Sequence, residues 1–330
     1  MTTSTTTTST TTTPGAGTIT GDRARTAPVK AQRLFRVMGC EAHVIVIDGR
    51  DALLDQAEWR LRQLEGLWSR FVRDSDVTRA NQAAGTAVDV HRETIEVVLR
   101  AVEAWKQTRG LFDITVLPAL VHHGYTHSAA SGEPAPRVRE QMIGTSGKIV
   151  VDPARGIIKV PAGSAIDLGG IGKGFAGDLV AEELIRAGAA GAFVSIGGDI
   201  AVRGVAAIDD PAWVIGVEDP LTAPEAIAHL SIVSGGIATS GTTVRHWTSP
   251  DGQTAHHLID PATARPARST LLTATVLAAD AATAEVFATA AMMGDGPSAV
   301  ALLDAVGLAG LMVARDHTVY TTESWADFAR

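Results

Sequence analysis

Apolar positions along the chain switch between two periods. Residues 34–48 alternate into a β-branched run, Val44-Ile45-Val46-Ile47, which predicts one strand. After it Leu54, Ala57, Leu61, Leu64, Leu67, Trp68 and Phe71 recur at three- and four-residue steps, the apolar stripe of a helix, with Asp51 placed to cap its start. Residues 92–108 repeat the helical pattern, and Gly110 offers a stop. Lys148–Val160 predicts two short strands around the turn Asp152-Pro153-Ala154-Arg155-Gly156. A glycine-rich loop at 167–174 leads into a helix to about 187, and Phe193–Ile196 predicts a strand ending at Gly197-Gly198-Asp199. Strands are expected at 213–217, 228–234 and 271–278, helices at 281–293 and 297–306, and a closing hairpin around Ala314-Arg315-Asp316-His317. Residues 126–146, rich in Gly, Pro and Ser, read as a long loop, disordered by default. Helices and strands do not alternate regularly and several connections have hairpin character, so the expected fold class is α+β, not a doubly wound parallel sheet. No repeat of fixed period is present.

Composition narrows the classes. A chain of 330 residues, 45% apolar, can build one large or two modest domains without a disulfide or metal staple. The balance of 28 basic against 36 acidic side chains argues against a general nucleic-acid binder and leaves room for a local basic pocket. A single cysteine, Cys40, excludes an intrachain disulfide and a cysteine-rich zinc site. No apolar run reaches the ~18 residues of a membrane span. Residues 1–13 are almost all Thr and Ser, so 1–30 is expected to be a disordered tail. Val37-Met38-Gly39-Cys40 faintly resembles a lipoprotein cleavage box, but the charged stretch Lys30–Arg36 before it is no signal core. The expected location is therefore cytoplasmic, with Cys40 a small apolar strand residue.

The densest chemical signal is Ile166-Asp167-Leu168-Gly169-Gly170-Ile171-Gly172-Lys173-Gly174-Phe175-Ala176. Glycines before a helix let the backbone approach a ligand, exposed amides there can face an anion, and Lys173 could neutralise a phosphate. The spacing fits neither a Walker loop nor a dinucleotide fingerprint, and a tight strand–helix turn has the same composition. Ser195–Asp199 is a second glycine turn. The loop Ala238–Arg245 offers hydroxyls, amides and one guanidinium. His256 and His257 adjoin a strand-like segment and must point to opposite faces, so at most one serves a given site. His122 and His123 have less support, and no zinc site assembles at standard spacing. Glu285 and Thr289 share a helix face, where they could offer oxygens to Mg²⁺ or form a solvated surface.

Taken in order, these segments resemble the ApbE-type FAD:protein FMN transferases. The resemblance begins at Met38-Gly39-Cys40, where the family usually has Met-Gly-Thr. It continues through Ser69–Asn81, Phe112–Pro118, Asp167–Ala176, Ser195–Asp199, Ala238–Gly241 and His257–Pro261. It implies two closely packed mixed lobes of T-fold-like type over residues 31–330, with the ligand cleft between them. It also implies Mg²⁺-dependent transfer of FMN from FAD to a Thr or Ser hydroxyl of an acceptor flavoprotein, releasing AMP. The flavin would be cargo, and neither nucleic acid nor membrane would be a partner.

By the same resemblance Met38, Phe71, Leu111, Phe112 and Asp113 line the FAD site, and Asp167, Lys173 and Ser240 contact FAD. His257, Leu258 and Ile259 lie against it, and the Gly170 carbonyl, Glu285 and Thr289 hold Mg²⁺. His257, which titrates near neutral pH when unperturbed, is the candidate acceptor of the hydroxyl proton. The chain departs from the family pattern at Glu285, where Asp is usual, and at Ser240–Arg245, which lacks an acidic residue and an aromatic. Two alternatives stay open: an FAD-storing protein without transfer, and a Mg²⁺-dependent FAD pyrophosphatase.

Overall fold

The computed structural model describes residues 30–128, 132–207 and 211–330, so the tail expected at 1–30 lies, Lys30 apart, outside the described residues. Strands β1 (Lys30–Val37) and β2 (Cys40–Ile47) form an antiparallel hairpin with Val37 opposite Cys40. Its turn is Met38-Gly39, with φ of 52° and 72°, the left-handed pair of a tight hairpin. The single strand expected over 34–48 is thus two, and the turn was hidden because methionine seldom adopts positive φ. Helix α1 (Asp51–Trp68) buries Leu54, Ala57, Leu61, Leu64 and Trp68. Arg50, not Asp51, is its cap residue; Asp51 sits in the first turn, where its charge suits the positive end of the helix dipole. Phe71 falls beyond the helix, before α2 (Asp76–Gln82), whose Thr78 amide is capped by Ser75 Oγ at 3.0 Å.

Strand β3 (Val88–Asp89) precedes α3 (Arg92–Gln107), which ends where Arg109 and Gly110 take φ of 54° and 84°. After α4 (Leu117–His122), the described part of 126–146 is irregular but tied down. Bridges join His127 to Pro134 and Met142 to Ser164, which corrects the expectation of disorder there. Strands β4 (Val150–Asp152) and β5 (Ile157–Lys159) flank the expected turn and pair in the order β3-β5-β4. Then come α5 (Gly172–Arg186), β6 (Gly191–Ile196), β7 (Asp199–Gly204), β8 (Trp213–Glu218), β9 (Ala226–Ile232) and β10 (Gly235–Gly241). Two short hairpins follow, β11 (His246–Thr248) with β12 (Thr254–His256) and β13 (Ile259–Asp260) with β14 (Arg265–Pro266). The chain closes with β15 (Leu271–Ala278), α6 (Ala281–Ala291), α7 (Gly296–Asp304), β16 (Ala309–Ala314) and β17 (Val319–Thr321).

The frame is an eight-stranded antiparallel sheet in the order β1-β2-β6-β7-β10-β15-β16-β17, and the α+β class holds. Its two faces explain the unbroken run in β2. Val44 and Val46 join the core with Leu61, Phe175 and Phe287 of the helices, while Ile45 and Ile47 join the opposite core with Trp213 and Leu230 of the β8–β9 hairpin. A strand covered on both faces need not alternate apolar with polar.

The join between α6 and the sheet is very close. A Cβ added to Gly236 of β10 would overlap the Asp280–Ala281 backbone, and one on Gly174 of α5 would overlap the Ala281 carbonyl. Asp178 of α5 accepts from the Ala281 and Ala282 amides, each at 2.9 Å, filling the donors that begin α6. Among the described residues no helix is long and apolar enough to cross a membrane.

Candidate functional site

The chain gathers its polar signals around one cavity of about 340 Å³. Every residue singled out for a site lines it: Met38, Phe71, Leu111, Phe112, Asp113, Asp167, Gly170, Lys173, Ser240, His257, Leu258, Ile259, Glu285 and Thr289. Met38 stands at the β1–β2 turn, its amide donating to Glu65 Oε1 at 2.7 Å. The loop after α3 brings Leu111, Phe112 and Asp113. Asp113 Oδ1 accepts from the Thr115 amide at 2.6 Å, from Ser146 Oγ at 2.8 Å and from Thr115 Oγ1. Its other oxygen, Oδ2, is buried without a partner. An unpaired buried acceptor at a cavity wall is a place for a ligand donor.

The glycine loop forms an adjoining wall. Asp167 Oδ1 accepts from the Gly169 amide at 2.7 Å, and Oδ2 lies 2.8 Å from Arg70 Nε. The Arg70 guanidinium lies over the rings of Phe71 and Tyr125, 4.2 and 4.7 Å from their centroids, and Tyr125 stacks on Trp247 at 5.1 Å. Sequence reasoning quoted Arg70 in a motif but did not make it a site residue, and it missed Tyr125 on an irregular segment without periodicity.

At the far end Lys173 Nζ is pressed between the carboxylates of Asp199 and Glu285, and Glu285 Oε2 also accepts from the Gly174 amide at 2.8 Å. Burial alone would strip the lysine of its proton, but the two carboxylates outweigh it and hold its pKa above the usual lysine value. Burial raises Glu285 to about 8; Lys173 opposes this and Asp199 adds to it. Thr289, one turn along α6, has its Oγ1 3.3 Å from Ser240 Oγ. A Cβ on Gly170 would sit 3.4 Å from that Oγ1 and 3.0 Å from Phe112 Cε2, so glycine lets the loop backbone approach both. Among the described residues no three His, Cys, Asp or Glu side chains converge on a metal position. The oxygens on that side of the cavity are instead the carboxylates of Asp199 and Glu285 and the hydroxyls of Ser240 and Thr289, a hard set that suits Mg²⁺ better than zinc.

His257 faces the cavity, while His256 turns away to the Ala267 carbonyl at 3.1 Å, as alternation requires. The near-neutral titration expected of His257 does not hold here. Burial, followed by Arg245, pushes it down to about 3, so the ring is neutral. Its Nδ1 is 3.5 Å from the Arg245 carbonyl, which can only accept, so a hydrogen on Nδ1 would suit this contact and leave Nε2 able to take a proton. Arg245 itself donates to Cys40 Sγ at 2.8 Å, so Cys40 is a polar partner at the strand start and not merely an apolar filler. His122 and His123 lie outside the cavity lining, with His123 bound to the Ala264 carbonyl at 3.0 Å.

Comparison with known proteins finds related sequences and the same fold elsewhere. The model of the ApbE family matches residues 38–312. A FAD:protein FMN transferase of Haemophilus influenzae is 27% identical over 312 residues, 89% of each chain. One of Treponema pallidum is 27% identical over 332 residues, 94% of this chain and 91% of the relative. Among solved structures, the ApbE protein of Thermotoga maritima superposes with a TM-score of 0.79 at 25% identity, covering 92% of this chain and all of that one (100%). The flavin transferase ApbE of Vibrio cholerae gives 0.74 at 24% identity, over 91% and 99%.

Proposed function

The chain belongs to the ApbE family, and from that premise we propose that it transfers FMN from FAD to a threonine or serine hydroxyl of an acceptor flavoprotein, with Mg²⁺, releasing AMP. The observation that carries the reading is the convergence on one cavity of the glycine loop, the Lys173–Glu285–Thr289 cluster and a neutral His257. Residues 31–330 would work as one unit in the cytoplasm, two lobes with the cavity between them.

In this reading Met38, Phe71, Leu111, Phe112, Leu258 and Ile259 offer FAD apolar surface. Asp113 Oδ2 and Asp167 offer acceptors to its donors, and Ser240 a hydroxyl. The loop from Asp167 to Gly174 lets backbone amides approach the diphosphate, and Lys173 adds positive charge. Glu285, Thr289 and the Gly170 carbonyl would hold Mg²⁺, which when bound offsets the charge developing on the phosphate oxygens.

The acceptor hydroxyl oxygen attacks the phosphorus on the FMN side. A new phosphoester bond forms, the anhydride bond to AMP breaks, and its electron pair leaves on the AMP phosphate. The hydroxyl proton goes to His257 Nε2. A histidine at about 3 is a weak base. A bound diphosphate would offset the positive charge of Arg245 and Lys173 that helps hold it there, raising its basicity for the transfer.

One incubation tests the reading: purified protein, FAD, Mg²⁺ and a candidate acceptor, followed by intact mass of the acceptor and chromatography of the nucleotides. FMN bound covalently to the acceptor, with stoichiometric AMP, is expected. Free FMN with AMP would instead mean hydrolysis, and intact FAD would mean storage.

A further inference from the structure

A cation at Glu285 meets an obstacle that the side chains themselves define. Glu285 Oε1 is taken by the Lys173 ammonium and Oε2 by the Gly174 amide. A divalent ion cannot claim an oxygen already facing an ammonium without displacing it, because two like charges in a buried site repel strongly. The Glu285 carboxylate reaches both groups at once. The ammonium nevertheless has a second partner in contact, Asp199 at the first position of β7, whose side chain is 4% exposed.

We infer that Asp199 is the resting place for Lys173 once a divalent cation enters: a positioning residue that keeps the ammonium paired while Glu285 is released. With Lys173 on Asp199 that pair is neutral, and a cation that takes Glu285 displaces the carboxyl proton to solvent and meets a carboxylate no ammonium shares. Without Asp199 the ammonium has only Glu285, and cation and lysine compete for the same oxygens. The inference rests on the proposed reading only in placing a divalent cation at Glu285, and it needs neither flavin nor acceptor.

The test is a double-mutant cycle on flavin-free protein, with Mn²⁺ binding read by electron paramagnetic resonance and folding checked by circular dichroism. Lys173→Gln should bind Mn²⁺ about tenfold tighter than the parent, because the competitor is gone. Asp199→Asn should bind about a hundredfold weaker when Lys173 is present, and only about tenfold weaker in the Lys173→Gln background. The tenfold difference between backgrounds is the signature of a parked ammonium. Asp199→Glu should restore binding toward the parent, and Asp199→Ser serves if the asparagine variant does not fold. Equal losses in both backgrounds would make Asp199 a direct ligand or a bare charge and overturn the inference, as would Lys173→Gln binding no tighter. A parent that binds FAD but no Mn²⁺ would overturn both this inference and the cation in the proposed function. A parent that binds Mn²⁺ with the expected cycle but transfers no FMN would leave this inference standing and sink that reading.

Discussion

Replacing Asp113 by asparagine exchanges one atom at a cavity wall where an acceptor is unused. Oδ1 carries the structural load, with donors from the Thr115 amide at 2.6 Å, Ser146 Oγ at 2.8 Å and Thr115 Oγ1. An asparagine carbonyl can keep these. Oδ2 has no partner, and the residue is 5% exposed. The amide nitrogen would put a donor where the ligand is expected to bring one. Losing a hydrogen bond to a charged group costs about 1.5–3 kcal/mol, so FAD should bind roughly 10- to 150-fold more weakly. Folding stability should stay within about 0.5 kcal/mol, because no internal bond is lost. Quenching of FAD fluorescence gives the affinity, and urea denaturation of the same preparation gives the stability. Equal FAD affinity in the two proteins would refute the assignment of Oδ2 to the ligand. A fall in affinity matched by a fall in stability would mean that the site had merely loosened.

His257→Ala should leave FAD binding within about threefold and slow transfer by roughly 10²–10⁴, the range for loss of a general base; normal acceptor mass gain by the variant would remove the role. Gly174→Ala drives a Cβ into the Ala281 carbonyl and should cost about 1–3 kcal/mol in urea denaturation, an unchanged midpoint counting against the close α5–α6 approach. Asp178 is raised to about 6, chiefly by burial, against the pull of the Ala281 and Ala282 amides. Its folded pKa lies above the unfolded one, so the folded state holds the proton more tightly and stability falls as pH rises from about 4 to about 6. Asp178→Asn should lose that slope, and denaturation at a series of pH values would show a slope as steep as the parent's if the argument fails.

The sequence was most legible where a local pattern coincides with a local structure. The stripe in α1, the stop at Gly110 and the turn at 152–156 needed no tertiary information. It was least legible where a distant contact dictates composition. β10, which pairs with β7 and β15 near the middle of the sheet, begins Gly235-Gly236 and ends in Thr, Ser and Gly, the make-up of a loop. Gly236 is small because α6 starts directly on top of it, and Gly235 and Gly241 lie close to the β15 backbone at Ala278 and Leu272. The site residues were found through ordered motifs, whereas Asp199 as the partner of Lys173 and the Arg70–Tyr125 stack depend on side chains meeting across 26 and 55 positions. Nor could spacing show that His257 is buried beside Arg245, and that burial is what moves its titration away from neutrality.

Gly174 and Gly236 clamp the first turn of α6 from two sides, and Asp178 fastens its amides. The helix bearing Glu285 and Thr289 is therefore the fixed jaw of the cavity, unable to slide without dragging the centre of the sheet along. Whatever give a bulky guest requires is left to the opposing jaw, built of the chain from Leu111 to Tyr125 with its short helix α4 and of the segment around the exposed Val244. Stiffening that jaw would throttle entry while leaving the wall of Glu285 and Thr289 unmoved.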